Sequence, residues 1–409
     1  MKNYSSIFYK DKIDIKLFKL QKKSFLSEDL FIPLERIFSL GGIWPTKPTY
    51  IRFSIYILYF TMHLLMTFAD FIQVFGNLEL TVMNLVELVV YTITYPMMWV
   101  IRCNKLLKRI VLVAKQDIVE RSVENAEEEK IYYSYYFISK IFYRGSTVGM
   151  IIAVSSLYLR PLVKSLVLVR NETIAYILPF RVRLFFTISD TPSYVLVYLY
   201  LSPVIYLSVC HMTAICLLVT LVLQICGDLS VLSYRIQNIK VASIKATETS
   251  IRKFVKKHLK IIWMANSLDD TFNIVLLDEL LGNSVVLAIS MGILRNRYNS
   301  FVLQNFGMAE MATCWTFTFF ALVALVMLYG YCLIGEQLIQ QSIMLQNAYY
   351  QCDWRKMSQS CRISVLICMI RAQVLLQLTA GKFYIFSLSG FTEVVKSSLA
   401  YLSMLRTVL

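Results

Sequence analysis

The chain has 409 residues, 57% of them hydrophobic and 14% aromatic, with a mean hydropathy of +0.59 and a formal net charge of +15. Soluble domains carry roughly 45–50% apolar residues, so this composition excludes a soluble globular protein and indicates a polytopic membrane protein. The surplus of Lys and Arg is spread between apolar runs rather than gathered on a soluble domain, which excludes a nucleic-acid-binding role and leaves the charge to orient helices.

Taken in order, residues 1–50 read as a basic cytoplasmic segment that alternates lysines with single apolar residues and lacks the apolar core of a signal peptide. Gly42-Ile43-Trp44-Pro45 reads as a turn into the membrane, with Trp44 and Tyr50 at the interface. A first span is expected over 51–75, a tight turn at Gly76-Asn77, and a second span over 78–101 that contains Glu87, Tyr91, Thr92 and Tyr95-Pro96. Residues 115–140 are charged and helix-compatible, and read as a solvated extension of a third span over 141–159, where Ser146, Gly149 and Ala153 leave space on one face. Arg160-Pro161 is expected to end that span and open a loop to 193 carrying the sequon Asn171-Glu172-Thr173.

A fourth span is expected from 194 to 225, continuing as a polar helix through Ser233-Tyr234-Arg235-Ile236; a fifth over 271–294 follows a basic stretch, and a sixth covers 306–334. Residues 336–380 alternate Gln and Ser with apolar positions and read as one cytoplasmic helix packed on protein outside the bilayer. The final stretch, 381–409, is long enough to span a membrane and carries Tyr401, Met404 and Val408 on one helical face, with small or polar residues interrupting the rest. That pattern fits two roles, an ordinary packed helix or a pore-lining helix closed by an apolar ring.

Charge sets the orientation. Thirty-one Lys and Arg fall on the side of the N-terminus and 8 on the other, so the fold class is all-α with seven transmembrane helices, a cytoplasmic N-terminus and an extracellular C-terminus. This places Asn171 outside, where it is a glycosylation candidate. The nine cysteines contain no close pair of metal-ligand spacing, the three histidines sit on separate segments, and no phosphate loop or carboxylate–nucleophile pair is visible. The chain is therefore read as a non-enzyme with no metal and no cofactor.

The ordered motifs Gly42-Ile43-Trp44-Pro45, Cys226-Gly227-Asp228-Leu229 with Tyr234-Arg235-Ile236, and Lys257-His258-Leu259 resemble the insect odorant receptor family. The carboxyl third is closer still, with Tyr331-Cys332, Gly335-Glu336, Asp353-Trp354, Arg371-Ala372-Gln373 and Leu378-Thr379-Ala380-Gly381-Lys382-Phe383. Asp228 stands where that family carries glutamine, a departure expected to affect only local hydrogen bonding. Length and divergence resemble a ligand-tuned subunit rather than the co-receptor.

The resemblance implies an odorant-gated, non-selective cation channel in the plasma membrane of olfactory sensory neurons, assembled with the co-receptor as a heterotetramer. It divides the chain into the N-terminal segment 1–50, a ligand-binding bundle over 51–335, an anchor over 336–380 and a pore helix over 381–409. It implies a gate at Met404 and Val408 with Thr407 as polar neighbour. It also implies a pocket for a small, mostly apolar volatile, lined by Tyr91, Thr92, Ser146, Gly149, Ala153, Ser208, Met212, Trp315, Thr318 and Phe319. Glu87 is read as a ligand contact, a partner of a neighbouring helix or a water-facing group, and His211 as packing or as a tuning residue. Glu393 and Lys396 are read as a local ion pair or as pore-facing groups. A gustatory-type receptor channel is the alternative, disfavoured by the terminal motif; a transporter is another, for which internal repeats or broken midplane helices are not evident.

Overall fold

The computed structural model describes residues 30–76, 78–121, 123–168, 177–188, 190–239, 244–302 and 308–408. Asn171 lies outside them. The protein is an all-α polytopic membrane protein. Among the described residues six helical segments are long and apolar enough to cross a membrane, the third of them over Ala126–Leu162 and the fourth over Thr191–Gln237.

The N-terminal segment holds a helix that the sequence reading missed, α1 (Ile32–Leu40), with Pro33 in its first turn, where a missing N–H costs nothing. It buries Leu34 and Phe38, and the Tyr206 hydroxyl fixes its end, accepting from Gly41 N at 2.7 Å and donating to Ile37 O at 2.9 Å. Trp44 is a core residue at 0% exposure, stacked on Phe38, whereas Tyr50 is 75% exposed. The turn is left-handed at Gly42 (φ +66°), where a side chain would strike the Thr49 carbonyl. Glu35 takes Lys47 and Lys115, each at 2.7 Å. Burial alone would raise its pKa, but the two ammonium groups outweigh this and hold it below the usual carboxylate range. The Glu35 contribution is therefore present at neutral pH and is lost as pH falls through that lowered value.

Two spans follow as α2 (Tyr50–Val74) and α3 (Leu78–Cys103). The charged stretch after them is broken in two. Asn104 caps α4 (Lys105–Val119) by accepting from Leu106 N and Leu107 N, and α5 (Ala126–Leu168) then runs 43 residues, straight through Pro161. A proline there removes one intrahelical bond near a helix end, which the helix tolerates. The fourth span is likewise two pieces, α6 (Thr191–Leu201) and α7 (Pro203–Gln237), divided at Ser202 and Pro203.

α7 is apolar all round and is the hub of the bundle, touching α1, α3, α5, α8 (Ile244–Val302) and α9 (Met308–Gln351) and burying nearly every side chain from Val209 to Leu229. Its basic end is pinned by ion pairs. Arg235 meets Glu128 with two parallel bonds of 2.9 and 2.8 Å, and a separate pair, Lys260 with Asp117, joins α8 to α4. Asp228 accepts from the Tyr132 hydroxyl at 3.0 Å and from Lys257 at 2.9 Å, so the departure at this position carries an ion pair joining three helices rather than a merely local bond.

Residues 336–380 are not one helix. They comprise the last third of α9, a 3₁₀ turn (Trp354–Lys356), α10 (Gln359–Ala372) and a strand, β1 (Thr379–Ala380), which pairs antiparallel with β2 (Tyr384–Ile385). The final helix, α11 (Leu388–Val408), starts seven residues after Gly381 and is about 31 Å long.

The hairpin is bolted to α8. Asp269 accepts from Thr379 N at 2.7 Å, from the Thr379 hydroxyl at 2.8 Å and from Lys382 Nζ at 2.6 Å, while Gly381 N donates to Asn273 O at 2.9 Å. Burial would lower the Lys382 pKa, but Asp269 and Asp270 outweigh it and raise the value, so the ammonium is fully charged at neutral pH and its contribution is lost as pH rises through that raised value. On the other side Gly335 lets the Phe386 carbonyl approach α9, where a Cβ would lie 2.1 Å from that oxygen.

Two substitutions test this junction in thermal-shift measurements on detergent-solubilised protein. Asp269→Ala strands the buried Thr379 donors and is expected to cost about 1–3 kcal/mol. Gly335→Ala forces the hairpin off α9, at a cost of roughly 1–3 kcal/mol for overpacking, whereas Gly145→Ala, in open space, leaves the melting temperature nearly unchanged.

Candidate functional site

The sequence places apolar or small residues at a 3–4 spacing along α2, and the buried stripe Phe53, Tyr56, Phe60, His63 and Thr67 follows from it. That stripe faces α3. Tyr91 is buried there, edge-on to Phe60 at 6.3 Å and to His63 at 5.0 Å between ring centroids. One turn on, Thr94 Oγ1 lies 3.1 Å from His211 Nδ1 on α7. His211 Nε2 in turn faces Glu279 of α8 at 3.4 Å, and Asn283 donates to the other Glu279 oxygen at 3.2 Å. Four helices thus meet around a buried polar centre bordered by aromatic rings. In an apolar medium such a centre fixes helix register, because every alternative register strands its polar groups.

Of the expected pocket residues, Tyr91, Ser146 and Met212 face this interior. Ser146 donates to Phe142 O at 2.5 Å and touches Cys216 Sγ on α7 at 3.2 Å, and half-buried Met212 packs against the main core. Ser208 is half-buried with its hydroxyl turned back to Val204 O at 3.1 Å, and Ala153 is half-buried.

The others are placed differently. Thr92 is exposed, since consecutive helical residues lie about 100° apart and Tyr91 takes the inward position. Gly149 faces open space. Trp315 and Phe319 are 71% and 52% exposed and Thr318 is also exposed, so they lie on the outer face of α9. Its inner face is instead Phe317, Ala321, Ala324 and Leu328.

Glu87 meets a loop rather than open space. Its carboxylate accepts from Arg181 N at 3.3 Å, and the Arg181 side chain reaches Asp70 of α2 at 3.2 Å, where Asn84 of α3 also donates at 2.7 Å. The loop is further tied by Arg183 N to Met66 O at 3.2 Å and by the Tyr194 hydroxyl to Ile177 O at 2.9 Å. Residues 177–188 therefore close one end of the bundle over α2 and α3.

Glu279, Asn283, Thr94 and His63 belong to this centre or its border although no sequence motif marks them. The first two were legible as carboxylate and amide inside an apolar span, a placement that is costly unless used. His63 was legible from its position in the α2 stripe.

Met404, Thr407 and Val408 belong to the last turns of α11; their side chains lie outside the description. Glu393 and Lys396 are both exposed, and among the described residues no ion pair joins them. A largely apolar groove of about 640 Å³ separates α11 from α8 and α9, lined by Leu281, Val285, Met291, Leu325 and Val394. The first turns of α11 pack on α9 through Phe391, whose ring meets Tyr329 edge-on at 5.5 Å, and Leu388 N donates to Glu336 at 3.2 Å. Among the described residues no cluster of ligating side chains could hold a metal ion.

A family model described as the 7tm odorant receptor matches residues 77–399. Odorant receptor 13a of Drosophila melanogaster is 26% identical over 235 residues, which is 53% of each chain. The odorant receptor coreceptor of the same fly is 22% identical over 157 residues, 38% of this chain and 30% of its own. The matches thus span about half of the first relative's length and under a third of the second's. The solved olfactory receptor OR5 of Machilis hrabei in complex with eugenol has the same fold, with a TM-score of 0.76 over 95% of this chain and 99% of that one at 14% identity. A second structure of that receptor gives a TM-score of 0.71. This chain belongs to the insect odorant receptor family.

Proposed function

We propose that the chain is the odorant-sensing subunit of a ligand-gated, non-selective cation channel, assembled with the coreceptor as a heterotetramer in the plasma membrane of olfactory sensory neurons. The observation that carries this reading is the family match across residues 77–399. The ligand is a small, mostly apolar volatile, in keeping with the eugenol named in the complex of the related receptor. It binds in the half of the bundle closed by residues 177–188, among α2, α3, α5 and α7, with Tyr91, Ser146, Ser208 and Met212 contributing to the walls. The N-terminus is cytoplasmic and the C-terminus extracellular, which puts the Arg235–Glu128 and Lys257–Asp228 pairs on the cytoplasmic side and Asn171 outside as a glycosylation site.

The last helices line the pore, with Met404 and Val408 forming an apolar ring that excludes water when closed and Thr407 beside it. The segment 336–380 anchors the subunits. Ligand binding favours a state in which the last helices stand further apart, and the ring then wets. The hairpin before α11 and the groove beside it leave that helix free to tilt while its base stays fixed.

Two measurements in cells co-expressing the coreceptor test the reading. Val408→Ser or Met404→Ser is expected to raise ligand-independent current several-fold or to change ion selectivity; normal gating and selectivity in mutants that reach the surface would remove the gate from these positions. In the pocket, Tyr91→Ala is expected to raise the half-activating odorant concentration at least ~10-fold, the equivalent of ~1.4 kcal/mol of binding. Thr92→Ala, on the outer face, is expected to leave it unchanged.

A further inference from the structure

His63 lies in the middle of α2 at 0% exposure, and neither of its ring nitrogens has a hydrogen-bond partner among the described residues. The other two histidines differ: His211 is held between Thr94 and Glu279, and His258 Nδ1 lies 3.3 Å from the Tyr349 hydroxyl. An uncharged imidazole carries one N–H donor and one bare acceptor. Leaving both unmet in apolar surroundings is destabilising, and an aromatic hydrocarbon side chain would fill the same space without that penalty. The imidazole therefore calls for a role beyond packing.

The rings around it indicate which. Tyr59 stacks on the imidazole at 5.9 Å, Tyr91 meets it edge-on at 5.0 Å, and Tyr200 is tilted to it at 6.5 Å. Two of these rings are held by their own hydroxyls, Tyr59 donating to Tyr200 O at 2.9 Å and Tyr200 to Met66 Sδ at 3.4 Å. Tyr91 is the third, the nearest, and the one placed on the proposed ligand wall. An aromatic enclosure with an unfilled donor and acceptor at its centre suits a compact apolar molecule bearing a hydroxyl, because a hydroxyl both donates and accepts. An ether only accepts and a hydrocarbon does neither.

We infer that His63 is the polar anchor of the ligand chamber and tunes this receptor to hydroxyl-bearing volatiles, whose O–H group meets the imidazole beside Tyr91. The inference rests on the odorant-receptor reading of the chamber. It makes discrimination a matter of hydrogen bonding: a site with a buried polar group rejects the analogue that cannot pair with it far more strongly than it rejects a change in size.

The test uses benzyl alcohol and 1-hexanol, each against its methyl ether and its parent hydrocarbon, on the full chain with the coreceptor. Binding is read as the shift in melting temperature of the solubilised complex, and gating as whole-cell current. In the wild type the alcohols are expected to shift the melting temperature more than the ethers and to activate at a concentration about tenfold lower. His63→Phe is expected to raise the ligand-free melting temperature, relieving the unmet nitrogens, and to bring the alcohol-to-ether ratio near one. His63→Gln keeps a donor and an acceptor and is expected to retain part of the preference, which also decides the matter if His63→Phe fails to reach the surface. Equal shifts by alcohol and ether in the wild type, or an alcohol preference that survives in His63→Phe, overturn the anchor. Evoked current without alcohol preference overturns the anchor and leaves the channel reading standing. Alcohol-selective stabilisation that His63→Phe abolishes, with no evoked current in any arm, supports the anchor and overturns the channel reading.

Discussion

Asp269 decides where the last helix begins. Its carboxylate gathers two donors from Thr379 and the ammonium of Lys382, which sets the hairpin against α8, and α11 leaves from that hairpin. Gly381 and Lys382 both take positive φ there, 58° and 67°, a conformation that lets the chain reverse in four residues. The strain at Lys382 is offset by its ion pairs to Asp269 and Asp270. The contact adds to those that hold the base of α11 on α9, the Leu388 N to Glu336 bond and the Phe391–Tyr329 ring pair, while the apolar groove lies on its other side.

The same helix that holds the hairpin also reaches the polar centre of the bundle. Asp269 and Glu279 are ten residues apart on α8, so about 15 Å of continuous helix joins the base of α11 to the group facing His211. His211 meets Thr94 of α3, one turn from Tyr91. A displacement of α3 or α7 against α8 is therefore borne by the same continuous helix that carries the hairpin at Asp269. Buried polar contacts suit this purpose better than apolar ones, since they hold one register or another rather than sliding continuously. In the proposed channel these contacts are where ligand occupancy would bias the position of the last helix.

The spans were legible because lipid imposes a long apolar run on every crossing helix, and the 31-to-8 division of Lys and Arg gave them an expected direction. Interruptions were read less well. Pro161 looked like an end and is passed over, whereas Pro203 looked like part of a span and marks a break. A proline removes one bond in either place, and only the packing on each side decides whether the helix continues. Faces were harder still. On α9 four of the seven residues from Cys314 to Phe320 are aromatic, so hydrophobicity cannot separate Phe317, which is buried, from Trp315 and Phe319, which are exposed. The amphipathicity that identifies the buried side of a soluble helix is absent where both sides are apolar. Trp44 illustrates the same limit from the other direction: a tryptophan near a span suggests the interface, and α1, with no apolar signal long enough to announce it, buries the ring instead.

Polar residues inside the spans proved more informative than apolar ones, and they divide by partner. Glu87 is met by the Arg181 backbone, close to where that arginine's side chain reaches Asp70, so its cost is offset by closing the loop over α2 and α3. Glu279 and His211 face each other, and they join α3, α7 and α8. His63 is met by rings alone. The first two arrangements explain themselves as structure, because removing one member would leave another uncompensated in a medium that cannot solvate it. The third does not. Among the described residues His63 is a buried polar group beside Tyr91 with both ring nitrogens unpartnered, and so a molecule entering there would find its directional contact on α2.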